Sequence, residues 1–197
     1  MTNYKNITVY CGSHFGNDGA FASLAARLGE ALGKGGFHMI YGGRTLGPIG
    51  LSAEAFLAGD TSHDLLAAAM AAGGRVTGII PRVFIEKEQA HRGITELLEV
   101  PDMITRKQKL IESGDAFIVL PGGIGTLEEL ADTFSHYRIY AAPSRRPPIL
   151  IANINGIYNP LKALFQNWLR LGFIEKEDLS SIHFCSSLEE IMKILEN

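Results

Sequence analysis

The chain has 197 residues, 46% hydrophobic and 20% charged, which fits a folded globular protein and excludes a disordered or membrane-embedded one. Its formal net charge of −3 leaves no basic surplus for a nucleic acid or an anionic membrane surface, although loop amides can still hold a small anion. The 2 cysteines, Cys11 and Cys185, stand far apart in no metal or redox spacing, so both are expected to be core residues in a reducing compartment.

The N-terminal residues lead directly into a strand at Ile7–Cys11, with no leader-like segment before it and no bilayer-length apolar run after it. A cytoplasmic location is therefore expected. Ala20–Lys34 carries apolar residues at helical spacing and closes on Gly35-Gly36. Phe37–Tyr41 is a second strand, followed by Gly42-Gly43. Ala-rich helical stretches cover Leu51–Leu57 and Leu65–Ala72, separated by the polar break Gly59-Asp60-Thr61-Ser62. Val76–Ile80 and Leu97–Val100 are short strands stopped by Pro81 and Pro101. Thr105–Glu112 is helical, and Ala116–Leu120 is a continuous apolar strand of the kind covered on both faces. The rest alternates likewise: helix Leu127–Tyr137, loop Ala141–Pro148, strand Ile149–Ala152, helix Leu161–Leu171, strand Ile182–Cys185 and helix Leu188–Leu195.

This alternation predicts an α/β fold, a doubly wound, Rossmann-like parallel sheet with helices on both faces, in a single domain spanning 1–197. In such sheets ligands bind beyond the carboxyl ends of the strands. Three loops lie there: Gly12-Ser13, Gly42-Gly43 and Pro121–Thr126.

Pro121-Gly122-Gly123-Ile124-Gly125-Thr126 carries the sharpest signal. Glycines let a backbone approach a ligand, and the following helix offers unpaired amides and its positive end, which together suit a phosphate. It is neither a Walker A loop nor a dinucleotide fingerprint. The alternative is a tight turn with no ligand. Thr126-Leu127-Glu128-Glu129 also fits a capping box, so Glu129 is either a functional carboxylate or a helix cap. Arg106-Lys107 sits near a helix start, where cations are disfavoured, which suggests an anionic partner or else a solvated basic turn. The histidines show no metal-ligand spacing.

Taken together, these segments resemble the lonely-guy family of cytokinin riboside 5′-monophosphate phosphoribohydrolases. The signature P-G-G-x-G-T-x-x-E stands at Pro121–Glu129, and the family's R-K pair at Arg106-Lys107 within Met103–Lys107. Val9-Tyr10-Cys11-Gly12-Ser13, Tyr41-Gly42-Gly43, Glu88–Gly93, Gly156–Leu161 and Gly172-Phe173-Ile174 match further segments in order. The sequence departs from the family at Arg44, at Gly47-Pro48-Ile49-Gly50, at Ile104, and by extra residues around Ala58–Leu66.

The resemblance implies hydrolysis of the N-glycosidic bond of an adenosine 5′-monophosphate, often N6-prenylated, with no metal or other cofactor and with assembly as a homodimer or larger. It implies Arg106 and Glu129 as the catalytic pair. Ser13, Gly43, Glu88, Met103, Lys107, Gly122, Gly123, Ile124, Gly125, Thr126 and Ser135 would be substrate contacts. A non-catalytic nucleotide or molybdenum-cofactor carrier on the same fold is the alternative. The "lysine decarboxylase" label often attached to such chains would require a lysine placed for a Schiff base.

Overall fold

Strand β1 (Asn6–Tyr10) lies at the centre of a seven-stranded sheet and is buried on both faces. Ile7 and Val9 enter one hydrophobic cluster, while Tyr10 enters the other and Thr8 hydrogen-bonds the Leu110 carbonyl on the same side. That two-sided burial is why the strand reads as an unbroken apolar run. The computed structural model describes residues 4–12, 16–42, 61–85 and 94–197.

The remaining strands are β2 (His38–Tyr41), β3 (Arg75–Pro81), β4 (Glu96–Val100), β5 (Ala116–Val119), β6 (Ile149–Ala152) and β7 (Ile182–Cys185). All pair in parallel, in the order β4-β3-β2-β1-β5-β6-β7. The chain builds outward from β1 to one edge, returns to place β5 against β1, then builds to the other edge. The strand order thus reverses between β1 and β5, where loops leaving the carboxyl ends diverge and open a crevice.

Among the described residues the helices are α1 (Gly19–Lys34), α2 (Thr61–Ala71), the single turn α3 (Arg82–Ile85), α4 (Met103–Ser113), α5 (Ile124–Tyr140), α6 (Asn159–Leu171) and α7 (Leu188–Glu196). Leu28 and Leu32 of α1, Leu65 and Ala69 of α2, and Ile191 and Leu195 of α7 cover one face. Leu110 of α4, Leu130 of α5 and the partly buried Leu161 of α6 cover the other. The doubly wound parallel sheet predicted from the alternation is the fold observed.

Several boundaries differ for physical reasons. Thr61 and Ser62, expected in a break, are the first described residues of α2. Pro81, expected to stop β3, is its last residue and lies opposite Val100; its fixed φ is compatible with a strand end. Cys185 is buried as expected, but Cys11 is only half-buried and lines the crevice, because β1 ends at Tyr10. The loop 141–148 contains a short 3₁₀ turn, Pro143–Arg145. The expected helix Leu51–Leu57 lies outside the described residues.

Candidate active site

A cleft of about 360 Å³ opens at the point where the strand order reverses, a volume within the ~300–1,000 Å³ typical of small-molecule sites. Its floor comes from the carboxyl ends of β1 and β2, with Val9, Cys11, Gly12, Tyr41 and Gly42. Its walls come from the amino-terminal turns of α4 and α5.

The glycine loop meets α5 in a way that one-dimensional spacing does not reveal. The N-cap is Gly123, in extended conformation with no side-chain cap, and the helix starts at Ile124. The first helical hydrogen bond runs from the Leu127 amide to the Gly123 carbonyl. The amides of Ile124, Gly125 and Thr126 thus precede any intrahelical partner, at the positive end of a helix, and all three residues line the cleft. Thr126 is the third helical residue and not the cap, so the capping-box reading of Thr126 and Glu129 is overturned. Glu129 lies in the second turn, and its carboxylate meets a guanidinium instead.

Gly122 is not a lining residue. A Cβ there would fall 2.2 Å from Thr126 Oγ1 and 2.9 Å from the Gly12 amide nitrogen, so glycine is needed for the two loops to close on each other.

Asp102 caps α4 by accepting from the Thr105 amide at 2.7 Å, which fixes where the helix begins and sends Arg106 inward. Arg106 is 8% exposed. Its Nε donates to the Gly42 carbonyl at 3.1 Å, its Nη2 lies 3.4 Å from Glu129 Oε1, and its Nη1 approaches Met103 Sδ at 3.8 Å. Burial pushes the Glu129 carboxyl up to about 7; Arg106 opposes this, the Glu128 and Asp132 carboxylates add to it, and Lys107 opposes it. Glu129 is therefore poised between its two protonation states near neutrality, as suits a group that must both carry charge and exchange a proton.

Lys107 lines the cleft but is not a free cation. Its Nζ bridges Glu128 Oε1 at 3.0 Å and Asp132 Oδ2 at 2.9 Å, and hydrogen bonds to these two carboxylates hold its pKa above the usual lysine value. The pairing of Lys107 with these two carboxylates was not expected from sequence, because nothing in local spacing shows that α4 and α5 run side by side there.

The structure thus brings together Arg106, Glu129, Met103, Lys107, Gly123, Ile124, Gly125 and Thr126. Ser135 is exposed and does not line this cleft: six residues beyond Glu129 on α5, it sits roughly 9 Å further along the helix axis. Ser13, Gly43 and Glu88 lie outside the described residues. Tyr41 and Cys11 were not among the expected contacts; their place at strand carboxyl ends was the available signal. Among the described residues no group of three or more His, Cys, Asp or Glu side chains is arranged to hold a metal ion.

A family model described as "Possible lysine decarboxylase" matches residues 64–195. The cytokinin riboside 5′-monophosphate phosphoribohydrolase of Rhodococcoides fascians is 35% identical over 188 residues, covering 94% of this chain and 86% of that protein. An Arabidopsis thaliana protein of the same name is 31% identical, covering 98% of this chain and 84% of that one. Among solved structures, the molybdenum cofactor carrier protein of Chlamydomonas reinhardtii superposes with a TM-score of 0.66 at 17% identity, covering 97% of both chains, a likeness of fold alone. With the signature loop and the Arg106–Glu129 pair on one cleft, and with these relatives matching nearly end to end, the chain belongs to the lonely-guy family of cytokinin riboside 5′-monophosphate phosphoribohydrolases.

Proposed function

We propose that the protein hydrolyses the N-glycosidic bond of adenosine 5′-monophosphate or its N6-substituted forms, releasing the free base and ribose 5-phosphate. The observation that carries this reading is the buried Arg106–Glu129 pair beside an uncapped helix N-terminus. The phosphate would take the amides of Ile124–Thr126, placing the ribose near Glu129. As the C1′–N9 bond breaks, positive charge builds on the sugar, as in glycoside cleavage. The Glu129 carboxylate stabilises that charge and accepts a proton from the attacking water. The water oxygen bonds to C1′, the leaving base takes up a proton from solvent as the C1′–N9 electron pair departs with it, and Glu129 returns its proton to solvent. Arg106 favours the ionised form of Glu129 against the effect of burial, orients it, and offers donors to an anionic substrate.

The family model's description names a decarboxylase. Lys107, the only lysine lining the cleft among the described residues, is held between two carboxylates with a raised pKa. A Schiff-base lysine needs a neutral amine, so the cleft does not support that chemistry. A carrier function has the fold likeness behind it, but Arg106 and Glu129 are the groups hydrolysis requires.

Incubation with AMP and with an N6-prenylated AMP, followed by chromatography for free base, tests the proposal. Tight nucleotide binding with no base released would favour the carrier. Exposed apolar side chains next to the cleft, Ile104 of α4 with Ile124 and Leu127 of α5, support a working unit of at least two chains. Light scattering that gave a 21.4 kDa monomer at micromolar concentration would refute that.

A further inference from the structure

The matched segment Gly156–Leu161 has no role in the chemistry above, yet it carries a buried tyrosine that reaches Leu120, the residue leading into the glycine loop. Tyr158, 9% exposed, donates its hydroxyl proton to the Leu120 carbonyl at 2.8 Å. Pairing of β5 with β6 ends at Val119 opposite Ile151, so this hydroxyl serves Leu120 beyond the end of the ladder. One side-chain oxygen thus fastens the last residue before the loop.

The tyrosine is itself held. Its amide donates to Asn153 Oδ1 at 2.7 Å, and Asn153 Nδ2 donates to Asn159 Oδ1 at 2.8 Å. The path from β6 to α6 therefore delivers a fixed phenol to the loop between β5 and α5.

Building on the nucleotide reading of the cleft, we infer that Tyr158 is a positioning residue: its hydroxyl sets the conformation of the 121–123 loop, and so the aim of the Ile124–Thr126 amides at the 5′-phosphate. It touches neither the sugar nor the base.

The test compares AMP with adenosine, in a Glu129→Gln background so that neither is consumed. Tyr158→Phe removes one oxygen and keeps the ring. Affinity for AMP is expected to fall roughly tenfold, the scale of one hydrogen bond, with adenosine affinity unchanged. Equal losses for AMP and adenosine, or an unchanged AMP affinity, would overturn the proposal. So would a parent protein that binds AMP no tighter than adenosine. If Tyr158→Phe does not fold, Asn153→Ala carries the test: it leaves the phenol but frees its backbone, and the absence of any phosphate-selective loss overturns the assignment. The hydrolase reading fails separately. A wild-type protein that releases no adenine, combined with a phosphate-selective loss, rejects hydrolysis and keeps the role of Tyr158.

Discussion

Arg106 Nη2 lies 3.4 Å from Glu129 Oε1, and the same guanidinium passes so close to the backbone that a Cβ on Gly42 would fall 1.8 Å from it. The charge pair and the glycine at the end of β2 are therefore one construction. The arginine fits because the residue that follows β2 has no side chain, and the same guanidinium holds the glutamate. Each of the following outcomes tests part of that construction or the frame around it.

Glu129→Gln removes the charge and keeps the shape. Since Glu129 is not the cap of α5, no loss of capping accompanies the change. Turnover of AMP is expected to fall on the order of 10²–10⁴-fold, with AMP binding retained. Steady-state kinetics and calorimetry on the variant check this, and wild-type turnover would remove Glu129 from the mechanism.

The pH dependence follows from burial of Glu129, which raises its carboxyl to about 7. The charge needed for chemistry is absent well below that value and present above it, so kcat should rise with pH through about 7. Stability runs the other way. The folded state holds the proton more tightly than the unfolded chain, so this carboxyl's stabilising contribution is complete below about 4.5 and is lost as pH rises through about 7. Melting curves of wild type and Glu129→Gln should therefore differ more at pH 8, with Gln the more stable, than at pH 4. Equal pH trends in the two proteins would contradict the assignment.

Gly42→Ala places a methyl group where the guanidinium lies. The arginine is the movable partner, so the expected effect is displacement of Arg106 from Glu129 and not a collapse of the fold. Turnover should drop at least tenfold while the melting temperature changes little. A crystal structure of the variant with the 3.4 Å pair intact would show that the glycine is not required for it.

Asp178 tests the frame on the side away from the cleft. Its carboxylate accepts from the Glu175 amide at 3.0 Å and pairs with Arg138 at 2.9 Å and Arg146 at 3.3 Å, in a buried setting. Burial pushes its pKa up, but the amide and the two guanidiniums together hold it below the usual value. Asp178→Ala leaves Arg146 buried without its anion and should cost on the order of 3 kcal/mol in denaturant unfolding. In the wild type this contribution is present above the ordinary aspartate pKa and is lost as pH falls through the depressed one.

The sequence by itself determined the alternation of strands and helices, most of their limits to within a few residues, and the loops beyond the strand ends where a ligand could bind. These follow from local periodicity and from glycine and proline chemistry, which act over a few residues. Arg106 and Glu129 were singled out by motif, but their meeting was not readable from spacing: 23 positions separate them, and 64 separate Arg106 from Gly42. Only the tertiary structure decided that α5 begins at Ile124, which ruled out the capping reading of Thr126, left it as the cleft residue the motif had also suggested, and freed Glu129 to face the arginine. It also placed Lys107 between Glu128 and Asp132, put Ser135 outside the cleft, and brought the Tyr158 hydroxyl onto Leu120. The physical reason is the same throughout. Where a helix starts, and which buried charge meets which partner, depends on how the strands before it are seated in the sheet, and that is settled by packing between segments far apart in the chain.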